Sequence, residues 1–182
     1  MTPAERERAI SYLTQTRDNL LRATSGLSPA QLQFKPAADR WSAAECLEHI
    51  ITVENRVLEG IANALLQPAD QSKRSAFDGR DDELLQIVTD RGNRRQAPEA
   101  AQPSGRWPAQ QLVPEFRAAR GRSYDCANRL GADARQHFFS HRALGDLDCY
   151  QWLLLIAAHG DRHRAQIEEV LATPGFPRAA AV

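Results

Sequence analysis

Two histidines four residues apart, His159 and His163, sit in the stretch Asp148 to Thr173, DCYQWLLLIAAHGDRHRAQIEEVLAT. Its apolar positions are Trp152, Leu153, Ile156, Ile167, Val170 and Leu171. They recur at threes and fours or their sums, which predicts one long amphipathic helix. His159 follows Ile156 by three and His163 precedes Ile167 by four, so both imidazoles occupy core-facing positions one turn apart. A single histidine on such a face is ordinarily a satisfied core residue. Two of them each need a buried partner, and one metal ion would serve both. A third histidine, His49, lies three after Cys46 and four before Val53, on the apolar flank of a second helical pattern. Three imidazoles from two helices leave coordination positions open, as in a catalytic rather than a structural zinc site. Imidazole equally suits nickel, iron and copper.

Several familiar site types do not fit. The run HGDRH from His159 to His163 has zincin spacing, but Gly160 stands where the general-base glutamate of H-E-x-x-H belongs. A di-iron carboxylate bundle needs paired E-x-x-H motifs, and none is present. Gly-rich phosphate loops and a G-x-S-x-G elbow are likewise missing.

The elements that would carry these residues are helical. Thr2, Pro3 and Glu5 form a start signal with a capping box, predicting a helix to about Thr24 with Ile10, Leu13, Leu20 and Leu21 inward. Arg17 falls inside that stripe, where it either snorkels to water or is a buried cation facing a ligand or a carboxylate. A helical turn follows Ser28 and Pro29, and Trp41 is placed to pack back on the next helix like a hydrophobic staple. Ser42 with Glu45 opens that helix, which runs to Leu66 on a stripe of Cys46, Ile50, Val53, Val57, Ile61 and Leu65. Glu45, one turn before His49, reads at least as well as the capping carboxylate as it does as a partner behind the histidine.

From Gln67 to Trp107 the pattern weakens to one short helix over residues 81–91, with Leu84, Leu85 and Val88 inward. A connection of that length suits a crossover or a site lid. Pro108 starts a third long helix to about Leu130, in which Pro114 either kinks the first turns or delays the regular helix to Val113. Arg120 and Tyr124 flank its stripe of Leu112, Phe116, Ala119, Ser123, Ala127 and Leu130. Residues 131–147 read as a loop. Its His137 and His141 flank Phe138 and Phe139, and His141 is the better placed to lie near the mouth of a site. Asp148 and Gln151 cap the last helix, and Pro174 with Gly175 ends it.

These patterns predict one all-α domain over residues 1–182. It is a four-helix bundle with one long crossover connection and short accessory helices, a core of about 3–173 and a tail over 174–182.

Lysine plus arginine equals aspartate plus glutamate at 23 each, for a formal net charge of zero. That argues against nucleic acid as a partner, which calls for a basic surface. The basic run RGNRR at 91–95 is short and reads as solvated loop. The longest uncharged apolar run, Cys149 to Ala158, is too short to span a bilayer, so no membrane is expected. Cys46, Cys126 and Cys149 lack C-x-x-C spacing, and the charged start MTPAERERAI is unlike a secretory signal. Cytoplasmic localisation with reduced cysteines is the expectation.

Three segments together resemble a known family: TRDNLL through GLSPAQLQFKPAADRWSAAECLEHI at 16–50, HRALGDLDCYQWL at 141–153, and HGDRHRAQIEEV at 159–170. The pairing of W-S-x-x-E-x-x-x-H with a distant H-x-x-x-H is similar to the DinB/YfiT-like metalloenzymes, and the likeness runs from about Leu13 to Leu171. The resemblance implies a four-helix bundle, often a homodimer, with one divalent metal on His49, His159 and His163. Nickel or zinc would come first, with iron or manganese as further options. It also implies either activation of a low-molecular-weight thiol, as in S-transferases and isomerases, or metal-dependent hydrolysis of a small amide or ester.

In either case the metal would lower the pKa of a bound thiol or water for attack on a small-molecule electrophile. Arg17, Arg120 and Arg162 are the candidates for holding the carboxylates of a thiol cofactor, and Trp152 would line a wall. The contrasting expectation is a non-catalytic bundle serving dimerisation or partner binding.

Overall fold

The computed structural model describes residues 1–92 and 96–177. Helix α1 spans Pro3–Thr24, α2 Pro29–Gln33 and α3 Ala43–Leu65. Helix α4 spans Asp81–Thr89, α5 Ala109–Arg129 and α6 Cys149–Leu171. Among the described residues α1, α2, α3 and α6 each begin with a capping box, from Thr2, Ser28, Ser42 and Asp148. In each the cap oxygen takes one orphan N–H, and a Glu or Gln side chain three residues on closes the ring.

The fold is an all-α four-helix bundle. Helices α1 and α3 each pack against both α5 and α6, and α4 lies on α6. Helix α6 is the central member: from Cys149 through Ala158 every side chain is buried, because neighbours cover it on several sides. The long connection between α3 and α5 crosses over the bundle, carrying α4 and a short 3₁₀ turn at Glu99–Ala101. Among the described residues no helix is long and apolar enough to cross a membrane. Cys46, Cys126 and Cys149 are free thiols, with Cys46 and Cys149 buried.

The structure departs from the sequence expectations in several places. Within residues 131–147, expected as loop, a two-stranded antiparallel hairpin forms, β1 Phe138–His141 with β2 Gly145–Asp148, in the register His141↔Gly145 to Phe138↔Asp148; Asp148 also caps the last helix as expected. Strands of four residues are too short to show alternation, and the turn is closed by Gly145 at φ 76°. Phe139 sets the hairpin on the bundle. Its ring lies flat on Trp152, centroids 4.1 Å apart, and covers Gly60, where a Cβ would come within 2.6 Å of it.

Helix α5 runs through Pro114 from Ala109 without a late start. Leu65 ends the α3 stripe 39% exposed rather than fully inward. The start of the expected tail docks instead of trailing: Phe176 packs edge-on against Phe34, and Gln31 Nε2 donates to the Pro177 carbonyl. Residues 178–182 of that tail, and Asn93, Arg94 and Arg95 of the basic run, lie outside the described residues. Arg91, which opens the run, is paired with Glu169.

Candidate metal centre

His49 comes to the centre from the second turn of α3, and His159 and His163 come from the middle of α6. The α3–α6 packing closes a sequence gap of about 110 residues. The three rings form a triangle with centroid separations of 4.9 Å (His49–His159), 4.6 Å (His49–His163) and 4.5 Å (His159–His163). One ring nitrogen from each lies within 4.8 Å of the others.

Neighbours fix two of the three tautomers. His49 Nδ1 is 2.7 Å from the Ala101 carbonyl, which can only accept. The Nδ1 therefore carries the proton, and Nε2 is left with its lone pair facing the centre. His163 Nδ1 is 2.9 Å from Gln166 Oε1. That oxygen also accepts from Arg91 Nη1, which fixes the orientation of the amide, so His163 too is protonated at Nδ1 and bare at Nε2. Hydrogen bonds of this kind are what orient histidines that ligate metals.

Burial pulls the pKa of all three imidazoles below the ordinary 6.5, His159 and His163 well below it. Mutual repulsion among the rings adds to the shift for His159 and His163, since a proton on one disfavours a proton on the next. The centre is thus neutral near pH 7 and rich in lone pairs.

The donor set fits a single cation. His49 Nε2 and His159 Nε2 are 3.1 Å apart. Two nitrogens each about 2.0–2.1 Å from one ion are separated by about 2.9 Å at a right angle and about 3.3 Å at the tetrahedral angle. The observed spacing falls between them.

Surrounding residues shape the rest. Trp41 does not staple α3 from outside; its indole packs on His49 at 4.8 Å and on His163 at 6.0 Å, walling one side of the triangle. Trp152, seven residues before His159 on the same helix face, donates from Nε1 to the Phe139 carbonyl. His141, at the end of β1, stands 5.6 Å from the Trp152 ring and is near enough for its charge to act on His159. The hairpin therefore brings His141 close to the triad. His137 is buried and serves the fold, its Nδ1 against the Ala64 carbonyl at the end of α3.

The three arginines considered as cofactor holders have other engagements. Arg17 lies on the outer surface, paired with Asp18 and stacked 5.6 Å over Tyr124. Arg120 is enclosed in the bundle against Glu54. Arg162 is buried and donates to the carbonyls of Val88 and Asp90, tying the end of α4 to α6. Tyr124 donates to Thr14, and Glu45 caps α3 while pairing with Lys35.

Three contributors were not singled out from sequence. Gln166 was readable in principle, since it follows His163 by three on one helix face. Ala101 acts through its carbonyl, and Glu48 acts by gripping the crossover, so neither leaves a mark in residue type or spacing.

Fold and centre together define a class: an all-α bundle with a triad of histidines, two buried and one partly buried, shared by two of its long helices. The family model of the DinB superfamily matches residues 12–167, and the chain belongs to that superfamily. It is 24% identical over 166 residues to the uncharacterized protein YuaE of Bacillus subtilis (strain 168), a match covering 88% of this chain and 96% of that protein. Among solved structures it is similar to YfiT from Bacillus subtilis, with a TM-score of 0.64 and 13% identity. That likeness covers 97% of this chain and 91% of the other. YfiT is described as a "probable metal-dependent hydrolase with an unusual four-helix bundle topology".

Proposed function

We propose that this protein is a metal-dependent enzyme in which His49, His159 and His163 hold one divalent cation, nickel or zinc foremost, and that it hydrolyses a small amide or ester. The observation that carries the metal is the tautomer pattern: His49 and His163 each spend Nδ1 on a fixed acceptor and keep Nε2 bare toward the centre. A divalent cation there supplies Lewis acidity toward whatever fills its open positions. The chain orients the imidazoles, holds them unprotonated by burial, and walls the centre with Trp41. His141, 5.6 Å from the Trp152 ring, is itself held in place by accepting the Ala143 N–H at Nδ1.

Hydrolysis is favoured over thiol transfer by the engagement of Arg17, Arg120 and Arg162 elsewhere and by the description of YfiT. Transfer to a low-molecular-weight thiol is the second reading, supported by the open coordination that three ligands leave.

Elemental analysis of untagged protein beside a His163→Ala variant tests the metal. The expectation is about one divalent ion per chain, lost in the variant. Wild-type protein that binds no nickel, zinc, manganese or iron on titration overturns the proposal. Turnover of small esters and amides without added thiol then separates hydrolysis from transfer, which requires the thiol.

A further inference from the structure

Two neighbouring residues of α3 grip the same piece of the crossover. His49 donates from Nδ1 to the Ala101 carbonyl at 2.7 Å. Glu48, 4% exposed, points its carboxylate at the backbone just beyond. Its Oε1 accepts from Ser104 N at 2.8 Å, Ser104 Oγ at 3.1 Å and Arg106 N at 3.2 Å, and its Oε2 accepts from Gly105 N at 3.0 Å. Three successive amides converge on one carboxylate because Gly105 takes φ 73°, which turns its N–H to the same side as its neighbours. Only Gln102 and Pro103 separate this clamp from Ala101. No capping or surface role explains Glu48: it lies inside α3, past the capping box, and no ion pair involves it among the described residues.

We infer that Glu48 is a positioning residue for the metal centre, clamping the crossover so that the Ala101 carbonyl stays against His49 Nδ1. Without the clamp, the 3₁₀ turn at Glu99–Ala101 is held to α3 by fewer contacts and its carbonyl drifts from the ring. His49 then exchanges between tautomers and ring orientations, only one of which presents Nε2 to the other two histidines. Binding is reciprocal: whatever tightens the crossover tightens the metal, and the metal in turn holds the crossover down. This inference depends on the proposed metal role of the histidines, but the tests for the two fail separately.

The experiment measures zinc affinity by chelator competition, and the cobalt(II) absorption spectrum, for wild type, Glu48→Gln and Glu48→Ala. Circular dichroism and thermal melting of the metal-free proteins serve as the fold control. Glutamine keeps one oxygen for the contacts made by Oε1 but sets an NH₂ against the Gly105 N–H; alanine removes all four bonds. Zinc affinity should fall in the order wild type, Gln, Ala, by about 10- to 100-fold at the extreme, as for outer-shell partners elsewhere. The cobalt bands should shift as His49 loosens. In the wild type, added zinc should slow hydrogen exchange of the 104–106 amides by about tenfold or more.

A wild type that binds neither zinc nor cobalt sinks the metal reading itself. A wild type that binds zinc, beside folded Glu48 variants of equal affinity and unchanged cobalt spectrum, overturns the role of Glu48 alone. If Glu48→Ala does not fold, Glu48→Gln and the exchange measurement decide: unchanged affinity together with exchange insensitive to zinc refutes the inference.

Discussion

Replacing Glu54 by alanine should destabilise this protein more than almost any other single exchange, and the reason lies in what Arg120 would be left with. The two side chains are 1% exposed each and form a forked pair, Nε to Oε1 at 2.9 Å and Nη2 to Oε2 at 3.2 Å. Arg120 Nη1 also donates to the Leu13 carbonyl at 2.8 Å and to Thr16 Oγ1 at 2.9 Å, while Ser123 donates to Glu54 at 2.6 Å. The network thus joins α1, α3 and α5. Glu54→Ala keeps the guanidinium charged and enclosed but removes its counter-charge and two of its four acceptor contacts. Breaking one side of a buried pair costs about 3–5 kcal/mol, which for a chain of this size lowers Tm by about 6–20 °C. Replacing both partners together, Glu54→Leu with Arg120→Met, removes the stranded charge and should recover most of the loss, since apolar replacement of buried pairs is often neutral or better. Thermal melting followed by circular dichroism, on Glu54→Leu, Arg120→Met and the double, gives the coupling. The reasoning is refuted if Glu54→Ala shifts Tm by less than about 3 °C, or if the double variant loses the sum of the singles. The same double variant separates structure from ligand binding: if it is stable and keeps its activity, Arg120 does not hold the substrate.

Other expectations follow from specific contacts. Gly60→Ala should cost about 1–3 kcal/mol, because the new methyl would meet Phe139 at 2.6 Å while that ring is pinned on Trp152; Phe139→Leu should return part of it in a urea melt. Gly160→Ala should not gain the roughly 1 kcal/mol that helix propensity offers, since its Cβ would crowd Arg120 Nη2 at 3.2 Å and that guanidinium cannot yield. In the Glu54→Leu, Arg120→Met background it should turn stabilising. Metal-free protein should lose stability on acidification below pH 6.5, the ordinary histidine value. Folded His49, His159 and His163 have lowered pKa values, so in that window the unfolded chain takes up protons that the folded chain refuses. The slope reaches about 1.4 kcal/mol per pH unit for each histidine, fades as pH falls through the folded values, and is nil well above 6.5. Comparing Tm at about pH 7 and about pH 5.5 with and without zinc checks it; a flat apo profile would contradict the burial of the triad.

The parts of the site that were legible in sequence are those a helix writes into spacing. His159 and His163 interrupt an apolar stripe at a four-residue interval, and His49 does so on another stripe, so helical geometry alone puts each ring on an inward face. That these faces meet is a tertiary fact, and only the packing of α3 on α6 supplies it. Arg120 shows the limit of the same logic. Its position on the edge of the α5 stripe is equally good for facing a ligand or a carboxylate, and the choice depends on Glu54, whose own stripe position carries no signal of its partner. The hairpin at 138–148 escaped for a different reason: four-residue strands hold barely two alternations, and Phe139 reads as loop until Gly60 and Trp152 are seen to receive it.

The division of labour between side chain and backbone explains what was hidden longest. Two of the three imidazole orientations depend on acceptors, the Ala101 carbonyl and Gln166 Oε1, and only the second belongs to a side chain. A carbonyl can be offered by any residue, so the position of Ala101 is specified by whatever holds the crossover down, which is chiefly the carboxylate of Glu48 taking three backbone N–H groups. Selection on metal binding would therefore act on residues 101–106 through their conformation, with Gly105 the one position where φ 73° constrains the residue type. Gly105→Ala should accordingly weaken zinc binding although it lies outside the triad and removes no hydrogen-bonding atom. There is open space where its methyl would go, so strain at positive φ, about 1–2 kcal/mol, is the whole of the expected effect. Zinc affinity unchanged in a Gly105→Ala protein would mean that the crossover and the triad are independent.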